Sequence, residues 1–356
     1  MTAALTLADV PYWLDRLSGR VAASDLPGAI DCAATMALVN NGAWGFAGSV
    51  PDIIARFTAA DRERFAFGLA ELAAATPAER TAASLGRLAH RLVEDLDSAS
   101  EAEAVLRQLR LQAYGWTWQG WRPTLPEQVA TVTGAGLTLP PEVVALIRRT
   151  ATTPRSGEGG LIQLVAELGG PALNVGESWS EHALADLPRL GRPWPEVVIH
   201  VLGSSASGSA EEWEARGRHL LSEAGEGPAR AVLTDWLAKV GEPRTQRLLP
   251  PRIRLDVNAA FDPYNAIAVR GLIRLLALLP QHPDTDRLLG AVADRSLHWI
   301  AGAGPRSPKT AVAAARALAR IGSDTALAEL SRLSKQVTHA GTRKRVRLAL
   351  AGVRRS

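Results

Sequence analysis

The chain has 356 residues, 47% apolar and 21% charged, with a net charge of +4; this is ordinary globular composition and excludes disorder over long segments. Aromatics make up only 5%, Ala, Leu and Val carry the apolar content, and β-branched alternation is scarce, which favours helix over sheet. The single cysteine, Cys32, excludes an intramolecular disulfide and a cysteine-rich metal site and fits a reducing cytoplasm.

Met1 to Val10 has no basic start and does not read as a signal peptide. Val10, Leu14, Leu17 and Val21 then share one face of a helix. A second helix comes after Ser24-Asp25 with Ala29, Cys32, Ala33, Met36 and Val39 inward. Asn40, Asn41 and Gly42 end it, and Trp44 and Phe46 plug the gap before the next. Thr58 caps a helix running to Ala75, with Phe65, Leu69 and Leu72 inward. Thr76-Pro77 stops that helix and opens another on the stripe Leu85, Leu88, Leu92 and Val93. Ser98 or Ser100 caps the next. Residues 1–122 thus read as a first set of helical hairpins.

Tyr114, Trp116, Trp118 and Trp121 crowd into eight positions. They could stack a base or sugar, with Arg122 adding a cation–π contact, or fill an irregular junction between helical segments. Gly134, Gly136, Pro140, Pro141, Pro154 and Gly157 punctuate the next stretch, so residues 123–158 are expected as a Pro/Gly-rich connecting segment.

Residues 159–356 return to helix. Ser209 reads as a cap with Glu211 and Glu212 in the first turn, and Ala231, Leu233, Trp236, Leu237 and Val240 form an apolar stripe. Residues 241–264 are the longest non-helical stretch, of a length that is functional or pinned by packing. The apolar run Leu272–Leu279 is broken by Arg274 and closed by Pro280, well short of the ~20 residues of a membrane span. Ser307-Pro308 starts a helix that Gly322 ends. Asp324 caps the next, with Leu327, Leu330, Leu333 and Val337 inward.

This helix, tight turn, helix pattern, "ALARIGSDTALAELSRL", resembles HEAT repeats, whose helical pairs bury their apolar faces only by stacking on neighbours. The expected fold is all-α, an α-solenoid of degenerate HEAT-like hairpins. "DWLAKVGEPRT" (235–245), "NAIAVRGLIRLLALLP" (265–280) and "GAGPRSPKTAVAAARAL" (302–318) further resemble, in order and spacing, the helical region of large MolR-like bacterial proteins. The resemblance spans roughly residues 190–350, without the further C-terminal domain of that family. It implies a fold and carries over no catalytic residue.

Charge is unevenly placed. From Arg287 onward 14 Lys and Arg stand against three acids, +11, which leaves −7 for the rest. Arg343, Lys344, Arg345 and Arg347 form a basic terminal patch, either a phosphate contact or the polar outer face of a terminal repeat. "GAGPRSPKT" offers an anion cradle: Arg306, Ser307 and Lys309 meet at a helix start, though without a Walker pattern.

His90 with Glu94, and His182 with Asp186, are single-turn pairs that supply two metal ligands where zinc wants three or four. No metal or cofactor is therefore expected. His200 and His298 read as core histidines, and Gly-x-Ser-x-Gly is absent, so no catalytic residue is assigned. The expected function is a non-catalytic scaffold that binds a protein partner on its solenoid surface. The alternative is a nucleic-acid-binding solenoid, as in HEAT-like DNA glycosylases, which set Trp and a carboxylate around an extruded base on a basic concave face.

Overall fold

The computed structural model describes residues 10–39, 49–119, 124–153, 160–203, 210–249, 256–301 and 303–353. Among them the chain is all-α, with 18 helices and one two-stranded hairpin. The expected plug of Trp44 and Phe46, the helix end at Asn40–Gly42 and the Ser209 cap lie outside the described residues. The chain divides into unit 1, Met1–Leu168 with Arg247–Ile253, and unit 2, Gly169–Gln246 with Arg254–Ser356. No helix among the described residues is long and apolar enough to cross a membrane.

Unit 1 holds α1 (Val10–Ala22), α2 (Leu26–Val39), α3 (Ser49–Ile54), α4 (Ala59–Ala75), α5 (Glu79–Glu94), α6 (Glu101–Gln112), α7 (Leu125–Gly134), α8 (Pro141–Thr152) and α9 (Gly160–Glu167). Sequence neighbours pack on one another, most closely α4 on α5. Thr58 caps α4 through the Asp61 N–H at 3.1 Å, and Ser100 caps α6 through Glu103 at 3.2 Å. One core gathers Leu17, Met36, Ile54, Phe65, Leu69 and Leu85. A second gathers Leu109, Leu125, Val132, Leu146 and Ile147.

Residues 123–158, expected as a connector, contain α7 and α8. Pro141, one of the prolines that suggested coil, stands in the first turn of α8, as Pro126 does in α7, where the missing N–H has no intrahelical partner to lose. Thr124 and Glu127 close a reciprocal capping box at the start of α7.

Unit 2 holds α10 (Ser178–Leu190), α11 (Trp194–Leu202), α12 (Ala210–Ala224), α13 (Glu226–Ala238), α14 (Asn265–Leu276), α15 (Pro283–Leu297), β1 (Trp299–Ile300), β2 (Gly304–Pro305), α16 (Pro308–Ile321), α17 (Asp324–Gln336) and α18 (Ala340–Val353). One continuous core runs through it, centred on Leu233, Trp236, Leu272, Ile273, Leu289, Leu318 and Leu330. α16 is the hub, packed on α14, α15, α17 and α18.

Two local expectations are corrected here. The stretch after α15 is a β-hairpin, with Trp299 opposite Pro305 and Ile300 opposite Gly304, so His298 is exposed rather than in the core. Ser323, one residue before Asp324, caps α17 by accepting the Ala326 N–H at 3.0 Å. On α18 Val346 is buried while Leu348 is 58% exposed, because the helix turns its neighbouring bases and Leu348 to the same side. Gly322 does end α16, in the left-handed conformation at φ 66° that glycine adopts without a Cβ clash.

Close approach of α11 and α14 depends on Gly271. A Cβ built there lies 2.5 Å from the Val201 carbonyl oxygen and 2.7 Å from its Cα, both backbone atoms that cannot swing away. Gly271→Ala is expected to destabilise unit 2 by roughly 1–3 kcal/mol, read as a lower urea midpoint. Gly19→Ala, in α1 with nothing within 4 Å of the added carbon, is expected to raise stability by about 0.5–1 kcal/mol.

Candidate functional site

Unit 2 carries a groove of about 760 Å3 built from three helices and the start of a fourth. α14 contributes Arg270 and Arg274, one turn apart. α16 contributes Lys309 from its first turn and Arg316 and Arg320 further along, and α18 contributes Arg345. Each arginine on α14 and α16 interrupts a helix whose opposite face is core, so burial of Leu272, Ile273, Leu318 and Ala315 forces these guanidinium groups to one side. Six cations and His339 line the groove against one carboxylate, Glu214.

That carboxylate is already engaged. Glu214 accepts from Arg320 at 2.6 Å and from Arg218 at 3.3 Å. Arg274 lies over the Trp213 ring, 3.9 Å from its centroid, and the His200 ring stacks on that tryptophan at 4.4 Å. Burial, opposed by a hydrogen bond involving Trp213 and reinforced by Arg216 and Arg274, lowers the His200 pKa. By contrast the side chains of Arg270, Lys309, Arg316 and Arg345 have no hydrogen bond or ion pair with any described residue.

Burial lowers the pKa of Arg270, and that of Arg274 too, where Glu214 opposes and Arg320 adds to the effect. A guanidinium remains charged throughout the physiological range. A half-buried cation without a counter-charge is electrostatically uncomfortable, and an anion in the groove relieves it. The starts of α16 and α18 also open here at Pro308, Lys309, Gly341 and Thr342, adding the positive ends of two helix dipoles.

The expected anion cradle at Arg306, Ser307 and Lys309 is divided by the fold. Only Lys309 reaches the groove. Arg306 turns inward, donating from Nη1 to the Gly241 carbonyl at 3.0 Å and lying over Phe261, while Ser307 shares a hydrogen bond with Thr310. The terminal patch divides likewise: Arg345 lines the groove, whereas Arg343, Lys344 and Arg347 line a separate shallow depression beside Leu348.

Tyr114 packs on the first core of unit 1 and Trp118 on the second, and Trp121 and Arg122 lie outside the described residues. What holds this segment is Arg149 of α8, buried, whose Nε donates to the Trp116 carbonyl at 3.0 Å and whose Nη2 donates to those of Ala113 and Gly115.

The one group of described residues whose donors suit a cation is His182, Asp186 and Asp235. Asp235, from α13, completes the set that His182 and Asp186 lacked in sequence. The three are already engaged, however. His182 Nε2 meets Asp235 at 2.5 Å, and Asp186 accepts from Trp236 Nε1 at 2.9 Å and from Arg189 at 2.8 Å. This is a polar tie between α10 and α13.

Burial alone raises the Asp186 pKa, but the Trp236, Arg189 and His182 contacts outweigh it and hold the carboxyl below its ordinary value. A depressed carboxylate contributes stability that is present above the unfolded pKa and lost as pH falls through the folded one. The stability gap between wild type and Asp186→Asn is therefore expected to be full above about pH 5 and to close as pH falls below the ordinary carboxylate range, checked by urea titrations at successively lower pH.

Between α10 and α14 lies a fully buried polar network that no sequence motif announced. Asp262 accepts from the Tyr264 and Asn265 N–H groups at 3.0 and 3.2 Å and from Asn174 Nδ2 at 3.0 Å. Glu177 accepts from the Asp262 N–H at 2.8 Å, Asn265 Nδ2 at 2.9 Å and Trp179 Nε1 at 3.1 Å. Burial raises the Glu177 pKa; Arg244 opposes that rise and Asp262 adds to it. The pattern of Gly, Asn and acids around 174–180 and 256–265 is the only signal of it in the sequence. No family model matches the chain, and neither curated proteins nor solved structures show a match to it.

Proposed function

We propose that this protein binds the phosphate backbone of a nucleic acid in the groove between α14, α16 and α18. The observation that carries the reading is that Arg270, Lys309, Arg316 and Arg345 face one groove without an acceptor among the described residues. Phosphates are the acceptors that such guanidinium groups fit best. The groove lining holds no tryptophan, and its lone carboxylate is engaged by two arginines, so the reading is of a binding module and not of base excision. The helical pairs are best read as degenerate HEAT-like hairpins of an α-solenoid, supported by the packing of sequence neighbours within each unit.

A second reading keeps the non-catalytic scaffold. Ala277, Val312, Ala313 and Ala317 give the groove an apolar floor, which suits an acidic amphipathic helix of a protein partner.

Fluorescence anisotropy with a labelled duplex tests the first reading. Arg270→Ala with Arg316→Ala is expected to weaken binding about 10- to 50-fold, on the order of 1 kcal/mol for each phosphate contact. Arg343→Ala with Lys344→Ala, outside the groove, is expected to change it less than about 3-fold. Equal losses from both pairs would exclude the groove as the binding surface.

A further inference from the structure

A small cavity of about 10 Å3 lies inside unit 2, shares no lining residue with the groove, and is bounded by Glu177, Gly241, Arg244, Phe261 and Arg306 among others. It has room for about one water-sized sphere. The Arg244 side chain is 3% exposed. Its Nε donates to the Gln246 carbonyl at 3.2 Å, but its Nη1 and Nη2 have no acceptor among the described residues, and neither has Nε of Arg306. Buried guanidinium nitrogens without acceptors are costly and point to a ligand.

The neighbouring carboxylate does not fill this need. Glu177 Oε1 is 3.9 Å from Arg244 Nη1, beyond hydrogen-bond length, and takes the Asp262 N–H instead. Its Oε2 is taken by Trp179 and Asn265. Glu242, also in the lining, accepts from Ser178 at 2.7 Å. The lining sets Lys239, Arg244 and Arg306 against Glu177 and Glu242, with the buried Asp262 bonded to Glu177 behind them and Asp256 acting on Arg306.

A water molecule has two lone pairs for the three guanidinium nitrogens that lack acceptors, and brings two hydrogens of its own. A monatomic anion accepts from every N–H around it and brings no hydrogen. Carboxylate and phosphate groups are too large for the volume. We propose that this cavity binds one halide ion, chloride in the cell, held by Nη1 and Nη2 of Arg244 and Nε of Arg306. The ion would tie Gly241, Arg244 and Phe261 to the start of α10 and to the β-hairpin that precedes α16.

The test is thermal unfolding at fixed ionic strength with sodium chloride or bromide replaced stepwise by sodium gluconate, together with bromide-soaked crystals. For wild type, Tm is expected to rise with halide and saturate, by on the order of 3–5 °C. Bromide should give an anomalous peak between Arg244 and Arg306. Arg244→Gln should remove the halide response. Should that variant fail to fold, Arg306→Lys keeps the charge and loses the Nε donor, and should weaken the halide response at least about 5-fold.

The groove variant Arg270→Ala with Arg316→Ala should respond to halide as wild type does, which separates this site from the groove. A wild-type Tm indifferent to halide, a water without anomalous signal at the position, an unchanged response in Arg306→Lys, or loss of the response in the groove variant would each overturn the proposal.

Discussion

Asp262→Ala is expected to cost unit 2 about 3–5 kcal/mol, enough to leave much of it unfolded under mild denaturant. The side chain is fully buried and receives the first N–H groups of α14 from Tyr264 and Asn265, together with the Asn174 amide. Removing the acceptor strands two buried donors and one half-buried donor at once, and the cost of unmade bonds exceeds that of bonds never required. The disturbance also reaches Glu177, whose Oε1 accepts the Asp262 N–H. Asp262→Asn keeps one acceptor oxygen and is expected to lose roughly half as much. Near-ultraviolet circular dichroism during urea unfolding reads both, since Trp179 is bonded to the same network; a loss below about 1 kcal/mol for alanine would show that the network contributes little.

Arg149→Met is expected to destabilise unit 1 by about 3–4 kcal/mol. Methionine fills most of the arginine's volume, so the loss isolates the hydrogen bonds to Ala113, Gly115 and Trp116. Three carbonyls of one turn then face the interior without that fork. Arg149→Lys supplies charge but not the planar array of donors and is expected to recover less than half of the loss. Guanidinium chloride unfolding followed by tryptophan fluorescence checks this, because Trp116 and Trp118 report on the segment that Arg149 holds.

Helix identity was largely legible from the sequence where local chemistry dictates it. Thr58 and Ser100 cap as their side chains require, and Pro308 and Gly322 bracket α16 from first turn to left-handed end. Misreadings arose where one residue type serves two purposes. Pro141 starts a helix rather than breaking one, and His298 is exposed at the edge of a hairpin whose return Gly304, at φ 94°, permits.

The groove was hidden for a different reason. Its cations lie up to 75 positions apart, from Arg270 to Arg345, and each one alone reads as the solvated side of an amphipathic helix. The pairs Arg270 with Arg274 and Arg316 with Arg320, each one turn apart within otherwise apolar helices, were the trace available. The denser basic run at Arg343–Arg347 drew attention because it is contiguous, yet only Arg345 of it enters the groove. Arg306 and Lys309, three residues apart, serve two different cavities.

The most direct test of the groove as a phosphate-binding surface is the salt dependence of duplex binding. Each phosphate contact contributes about 0.9 to the slope of log affinity against log salt. Four acceptor-free cations predict a slope of about −3 to −4, falling by about 2 in Arg270→Ala with Arg316→Ala. A duplex that fails to bind at low salt, while an acidic helical peptide binds and loses affinity in the same variant, would contradict the nucleic-acid reading and leave the protein-partner reading in its place.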